Sequence, residues 1–153
     1  MREPGPSILA EFHRRSGGHI GHASQERFAR DGGRVWAEFV AAKAQEWEDM
    51  NTDWLTNFPG PLLVLSYTAL REEVEAQLRR TLDFLGVSVT REQMECAMAH
   101  KEGIYRRPGA RRVVPPMGAQ EEAMLGERWV RVRELMKARE VKEVREVGEV
   151  RER

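Results

Sequence analysis

Pro61-Leu-Leu-Val-Leu-Ser-Tyr67 places four large aliphatic residues in a row, between the turn signal Pro59-Gly60-Pro61 and Ser66. A short apolar run bounded in this way is the pattern of a strand buried on both faces. Strands that do not alternate belong to parallel sheets covered by helices. Residues 61–67 are therefore expected to form one buried strand. Thr68 is expected to open a helix that runs to Leu85, with Leu70, Val74, Leu78, Leu82 and Leu85 along one side. Arg71–Glu75 and Glu75–Arg79 fall at i,i+4 spacing on the solvent side of that helix. Gly86 stands where a helix C′ residue belongs, because glycine adopts the left-handed conformation at no steric cost.

Upstream, Ser7 to Ser16 reads as a short helix capped by Ser7, with Ile8, Leu9 and Phe12 on one face and Gly17-Gly18 as its stop. Gly18 to Gly33 reads as a loop carrying His19 and His22. Arg34 to Phe58 reads as a long helix whose Trp36, Val40, Trp47, Met50 and Trp54 recur at helical steps, with Pro59-Gly60 ending it. Downstream, Thr90-Arg-Glu-Gln93 has the form of a capping box. It opens a helix to about His100, with Met94, Ala97 and Met98 facing inward. Residues 101–118 read as a Gly- and Pro-broken basic loop, and residues 119–139 as a last helix with Leu125, Trp129, Val132 and Met136 expected on its inner face. The repeating tail holds valine at every third position, which does not keep one face of a 3.6-residue helix. The expected division is thus one domain over 1–137 and a charged tail, frayed helix or disordered, over 138–153. One strand among several long helices further implies that the rest of its sheet lies upstream.

A chain of 153 residues, 41% hydrophobic, is long enough for one core. Twenty-five basic residues balance 25 acidic ones, which argues against nucleic-acid binding by bulk charge. The single cysteine, Cys96, excludes an internal disulfide framework. It is expected as a small buried side chain, the alternative being a bond to a cysteine outside this chain. No apolar run approaches the roughly 20 residues that span a bilayer, and the polar, proline-bearing Met1–Ser7 is no signal peptide, so the chain as given reads as soluble without membrane insertion. Gly-x-x-x-x-Gly-Lys-[Ser/Thr] is absent. His13, His19 and His22 lie close in sequence but without a supporting acid at a metal-site offset, and no metal is expected. The basic loop containing Lys101, Gly103, Arg106, Arg107, Arg111 and Arg112 has the composition of a phosphate cradle, though a solvated charged loop has the same composition.

Leu62-Leu-Val-Leu-Ser-Tyr67-Thr-Ala-Leu70, then Leu78-Arg-Arg, then Phe84-Leu-Gly86-Val resembles the strand–helix module of sulfotransferases. The sequence is most similar to the sulfotransferase domain of the WSC-domain proteins, which resemble sialic-acid O-sulfotransferases. Ala10-Glu-Phe-His-Arg, Gly18-His-Ile-Gly-His-Ala-Ser24 and Glu102-Gly-Ile-Tyr-Arg-Arg-Pro108 extend the resemblance over about Arg2 to Met136. The resemblance implies the C-terminal portion of an α/β, P-loop NTPase-like sulfotransferase fold, mostly helical with its one clear strand at 61–67. It also implies transfer of a sulfuryl group from the donor PAPS to a hydroxyl of a glycan acceptor such as sialic acid, at a Golgi membrane and without a metal.

On that resemblance the donor's 3′-phosphate is expected at Arg2, in the turn Arg2-Glu-Pro4, and at Lys101, Gly103, Arg106 and Arg107 in the basic loop. Two positions depart from the family pattern. Ala10 replaces a ligand serine, and Thr68 replaces the glutamate after the strand tyrosine. The loop for the 5′-phosphosulfate, and usually the catalytic base, lie N-terminal to the Arg-x-Pro turn in this family. The chain is therefore expected to be inactive alone, with no nameable catalytic residue. The alternative is a non-enzymatic helical interaction module.

Overall fold

The computed structural model describes residues 1–102 and 117–151, with side chains described as far as Glu140. The described chain is helical: α1 (Pro4–Gly17), α2 (Gln25–Ala29), a 3-10 turn (Arg30–Gly33), α3 (Arg34–Asn57), α4 (Tyr67–Glu72), α5 (Val74–Leu85), α6 (Arg91–Ala99) and α7 (Ala119–Arg151). The described residues of Met1–Arg2 and Leu63–Pro108 form one compact unit, and those of Glu3–Leu62 and Gly109–Arg153 form another.

Residues 61–67 are not a strand, and no strand occurs among the described residues. Residues 61–66 are irregular, and Tyr67 already begins α4 behind the Ser66 cap, whose hydroxyl oxygen accepts from the Ala69 N–H. A strand is completed by a neighbour that satisfies its backbone groups, and no second strand lies alongside among the described residues. Those groups find other partners instead. The Arg80 guanidinium donates to the Val64 carbonyl at 3.2 Å. The Met1 ammonium donates to the Leu65 carbonyl, and the Tyr67 N–H donates to the Met1 carbonyl at 2.7 Å. Leu62 to Leu65 are half-buried, not buried. The expected α/β, P-loop NTPase-like class with a buried strand is overturned for this chain.

The second unit contains the main core. Helix α1 begins three residues earlier than Ser7, with Pro4 in its first turn, where a missing N–H costs nothing. Its Ile8, Leu9 and Phe12 pack with Phe28, Trp36, Val40, Ala44 and Leu125. Phe12 lies 4.7 Å from Phe28 and 4.8 Å from Trp36, centroid to centroid. Each such side chain contributes on the order of 1.5–3 kcal/mol by leaving water. Phe28 brings a short helix into what reads from sequence as a loop. The buried face of α3 is Trp36, Val40, Ala44, Trp47, Asn51 and Leu55. Met50 and Trp54 sit one position off this face and are 56% and 52% exposed.

Helix α7 packs along α3. Val132 is fully buried, and the Trp129 ring lies 6.0 Å from that of Trp47. Between α1 and α2 the chain folds back tightly, and the Ala23 N–H donates to His13 Nδ1 at 3.0 Å.

The first unit is built from short amphipathic helices and buries far less. Met94 of α6 is its buried apolar residue among those described. The capping box at Thr90–Gln93 forms as expected: Gln93 N–H donates to the Thr90 hydroxyl and the Gln93 side chain accepts from Thr90 N–H. Gly86 closes α5 at φ 66° and ψ 26°, with Val87 N–H donating to the Leu82 carbonyl. Cys96 is exposed, against the expectation of burial. Two positions beyond Met94 on a helix of 100° per residue, it points away from the face Met94 buries. The helix expected from Thr68 to Leu85 is broken at Glu73, whose φ of −125° and ψ of 47° are not helical.

Candidate functional site

Arg2 and Lys101, two of the expected anion ligands, both lie in the first unit. Tyr67, Leu70, Arg71, Val74, Lys101 and Glu102 line a cleft of about 520 Å³, within the range of small-molecule sites. Tyr67 opens α4 because Ser66 caps it, and the next helical turn places Arg71 on the same face. Leu70 and Val74 supply an apolar wall on either side of the Glu73 break. Lys101 follows α6 immediately after its C-terminal His100. The Arg2 guanidinium carbon sits 4.6 Å from the Tyr67 ring centroid, in cation–π range.

Arg71 and Lys101 share the cleft lining with Glu102, and Arg2 lies over the Tyr67 ring. Arg71 and Lys101 are ion-paired to no described residue, and Glu75, the sequence partner of Arg71, is bound by Arg79 at 2.7 Å instead. Two cations beside an aromatic ring and an apolar wall make a place for an anion attached to a flat or apolar body. Gly103, Arg106 and Arg107 lie outside the described residues. Tyr67 and Arg71 are site residues that the sequence reading did not include. The sequence pattern places Tyr67 in a strand and Arg71 in a surface ion pair, and only the 67/71 helical spacing signals that they share a face.

The histidines do not assemble into a metal centre. Among the described residues, no three His, Cys, Asp or Glu side chains are grouped to hold an ion. The ring of His22 packs edge-on against His13 at 4.9 Å, and His13 Nδ1 is engaged by the Ala23 N–H. No helix among the described residues is long and apolar enough to cross a membrane.

No family model and no solved structure matches the chain significantly. Curated relatives do. WSCD family member CG9164 of Drosophila melanogaster is 46% identical over 107 residues, which are 70% of this chain and 34% of the relative. WSCD family member AAEL009094 of Aedes aegypti is 48% identical over the same length and shares, and WSCD family member GA21586 of Drosophila pseudoobscura pseudoobscura is 45% identical. The matched stretch spans about a third of the length of these relatives. Nearly half of the residues are shared over a stretch as long as a domain, and over that stretch this chain is a relative of the WSCD family members.

Proposed function

We propose that the cleft of the first unit binds the 3′-phosphate of a nucleotide sulfate donor, PAPS, in a protein that transfers sulfate to a hydroxyl of a glycan such as sialic acid. The observation that carries this reading is the placement of Arg71 and Lys101, without acidic partners among the described residues, in one cleft beside the Tyr67 ring and its Arg2. Paired cations hold a phosphate, and an aromatic face with an apolar wall suits a nucleoside. The sulfotransferase resemblance of the sequence supplies the donor's identity and a Golgi setting for glycan sulfation. Gly103, Arg106 and Arg107 complete the phosphate grip in this reading. Sulfuryl transfer itself belongs to the whole protein, with a base and a phosphosulfate loop that no residue named here supplies.

Calorimetric titration of the folded chain with adenosine 3′,5′-bisphosphate tests the proposal. Saturable binding that weakens in Lys101→Ala is expected. A folded chain that takes up no nucleotide overturns the reading and favours a helical interaction module. The exposed Leu70, Phe84, Leu85, Val87 and Val89 of the first unit support that second reading.

A further inference from the structure

The break at Glu73 gives the cleft a cation that a continuous helix would have neutralised. In an unbroken helix Arg71 and Glu75 are i,i+4 neighbours and pair across one turn. At Glu73 the backbone leaves the helical region. The next helix starts at Val74, and its Glu75 carboxylate accepts both Nε and a terminal nitrogen of Arg79, at 3.1 and 2.7 Å. Arg71, exposed and in no ion pair with a described residue, lines the cleft with Lys101.

We infer that Arg71 is a specificity-determining residue of this site, selecting a phosphate monoester over singly charged anions. This inference rests on the nucleotide reading above. A phosphomonoester carries close to two negative charges at neutral pH, and Arg71 and Lys101 in the cleft lining present two positive ones, neither ion-paired to a described residue. Arginine presents a planar fork that meets two phosphate oxygens at once, whereas lysine acts as a point charge. Leu70 and Val74 beside it keep water from one side of the contact, so each charge is screened less than on open surface. A phosphodiester or a sulfate ester carries one charge and leaves one of the cations unmatched.

The test compares adenosine 3′,5′-bisphosphate with 3′,5′-cyclic AMP, whose phosphate is a singly charged diester, by calorimetry on the whole chain. The wild-type chain should prefer the bisphosphate. Arg71→Ala should weaken the bisphosphate about ten- to a hundredfold, the loss of a charge-assisted contact, and should leave the cyclic nucleotide within about threefold. Arg71→Lys should recover part of the loss. Arg79→Ala removes an equal charge outside the cleft and should change neither affinity by more than about twofold. Because Arg71 is exposed, circular dichroism of its variants should match wild type. If wild type binds the bisphosphate and Arg71→Ala binds it equally well, the inference falls and the nucleotide reading stands. If Arg79→Ala weakens binding as much as Arg71→Ala, the effect is the general field of the protein and the inference also falls. If the folded wild type binds neither nucleotide, both fall.

Discussion

The Glu48 carboxylate of α3 accepts from Arg131 Nε of α7 at 2.6 Å, across 83 positions of sequence, and accepts from Arg128 as well. Glu48 and Arg128 are about 15% exposed at the side chain, while Arg131 is half-exposed. One carboxylate therefore satisfies two cations at the seam between the two longest helices, next to the Trp47–Trp129 contact. Removing Glu48 would leave the Arg128 guanidinium largely out of water without its counter-charge. Glu48→Ala should destabilise the chain by about 2–3 kcal/mol, mostly through the stranded Arg128. Arg131→Ala, at the wetter end, should cost under about 1 kcal/mol. Urea unfolding midpoints at constant m-value measure both, and equal midpoints for Glu48→Ala and wild type would remove the seam from the account.

Acid should expose the same ion pairs. The hydrogen bond from Arg14 is the main reason that Glu11 titrates at about 2, below its ordinary 4.5. Burial opposes this, and Arg15 adds a second donor. The hydrogen bond from Arg131 likewise holds Glu48 below its ordinary range, with burial opposing and Arg128 assisting. Both groups are more acidic folded than unfolded, so the unfolded chain binds more protons as pH falls. Their stabilisation is complete above pH 4.5; that of Glu11 is lost as pH drops toward about 2, and that of Glu48 as pH falls below its ordinary range. The urea midpoint should fall through that window, and Glu11→Gln should flatten part of the slope. A midpoint independent of pH between those limits would contradict the assignment.

The helices were largely legible in the sequence, and the irregular path of residues 61–66 was not, for a physical reason visible at Leu62–Leu65. An apolar run of four has the same local pattern whether or not a neighbouring strand completes it. Here the Val64 and Leu65 carbonyls are met by Arg80 and the Met1 ammonium. By contrast, the Thr90–Gln93 capping box and the Gly86 stop are local devices that need no distant partner, and both appear where the sequence placed them. The Glu73 break carried no Gly or Pro to announce it, so Arg71 was given an i,i+4 partner that the backbone does not allow. Met50 and Trp54 show a different limit: each is a single helical position away from the buried stripe, enough to turn it toward solvent. Of the candidate site, Arg2 and Lys101 followed from resemblance, whereas Tyr67 and Arg71 required the end of α4 to be seen.

The tight return between α1 and α2 should be intolerant of side chains. A Cβ at Gly21 would overlap the Gly17 carbonyl, and one at Gly17 would come within 2.8 Å of the His22 nitrogen. This return delivers Ala23 to His13, beside the Phe12–Phe28 contact. Gly21→Ala should therefore cost about 1–3 kcal/mol through forced backbone displacement. Gly126→Ala, on the open side of α7 where a Cβ meets nothing, should be neutral or slightly stabilising. Thermal unfolding of the two variants decides, and a Gly21→Ala midpoint equal to wild type would show that the return is looser than described.

The Arg2–Tyr67 contact makes a sharper demand on the proposed site. A cation held over a ring face depends on the ring, and very little on its hydroxyl. Tyr67→Phe should keep Arg2 in place and leave affinity for adenosine 3′,5′-bisphosphate within about twofold. Tyr67→Leu preserves apolar volume but removes the quadrupole. It should weaken binding about two- to fivefold, the equivalent of a partly exposed cation–π contact. Tyr67→Leu in an Arg2→Ala background should lose less than in the wild-type background, because only the ring's own contact with the nucleoside is left to remove. Calorimetry of the four chains closes this double-mutant cycle. Additive losses would mean that Arg2 and Tyr67 act on the nucleotide independently, and that the ring does not position the arginine.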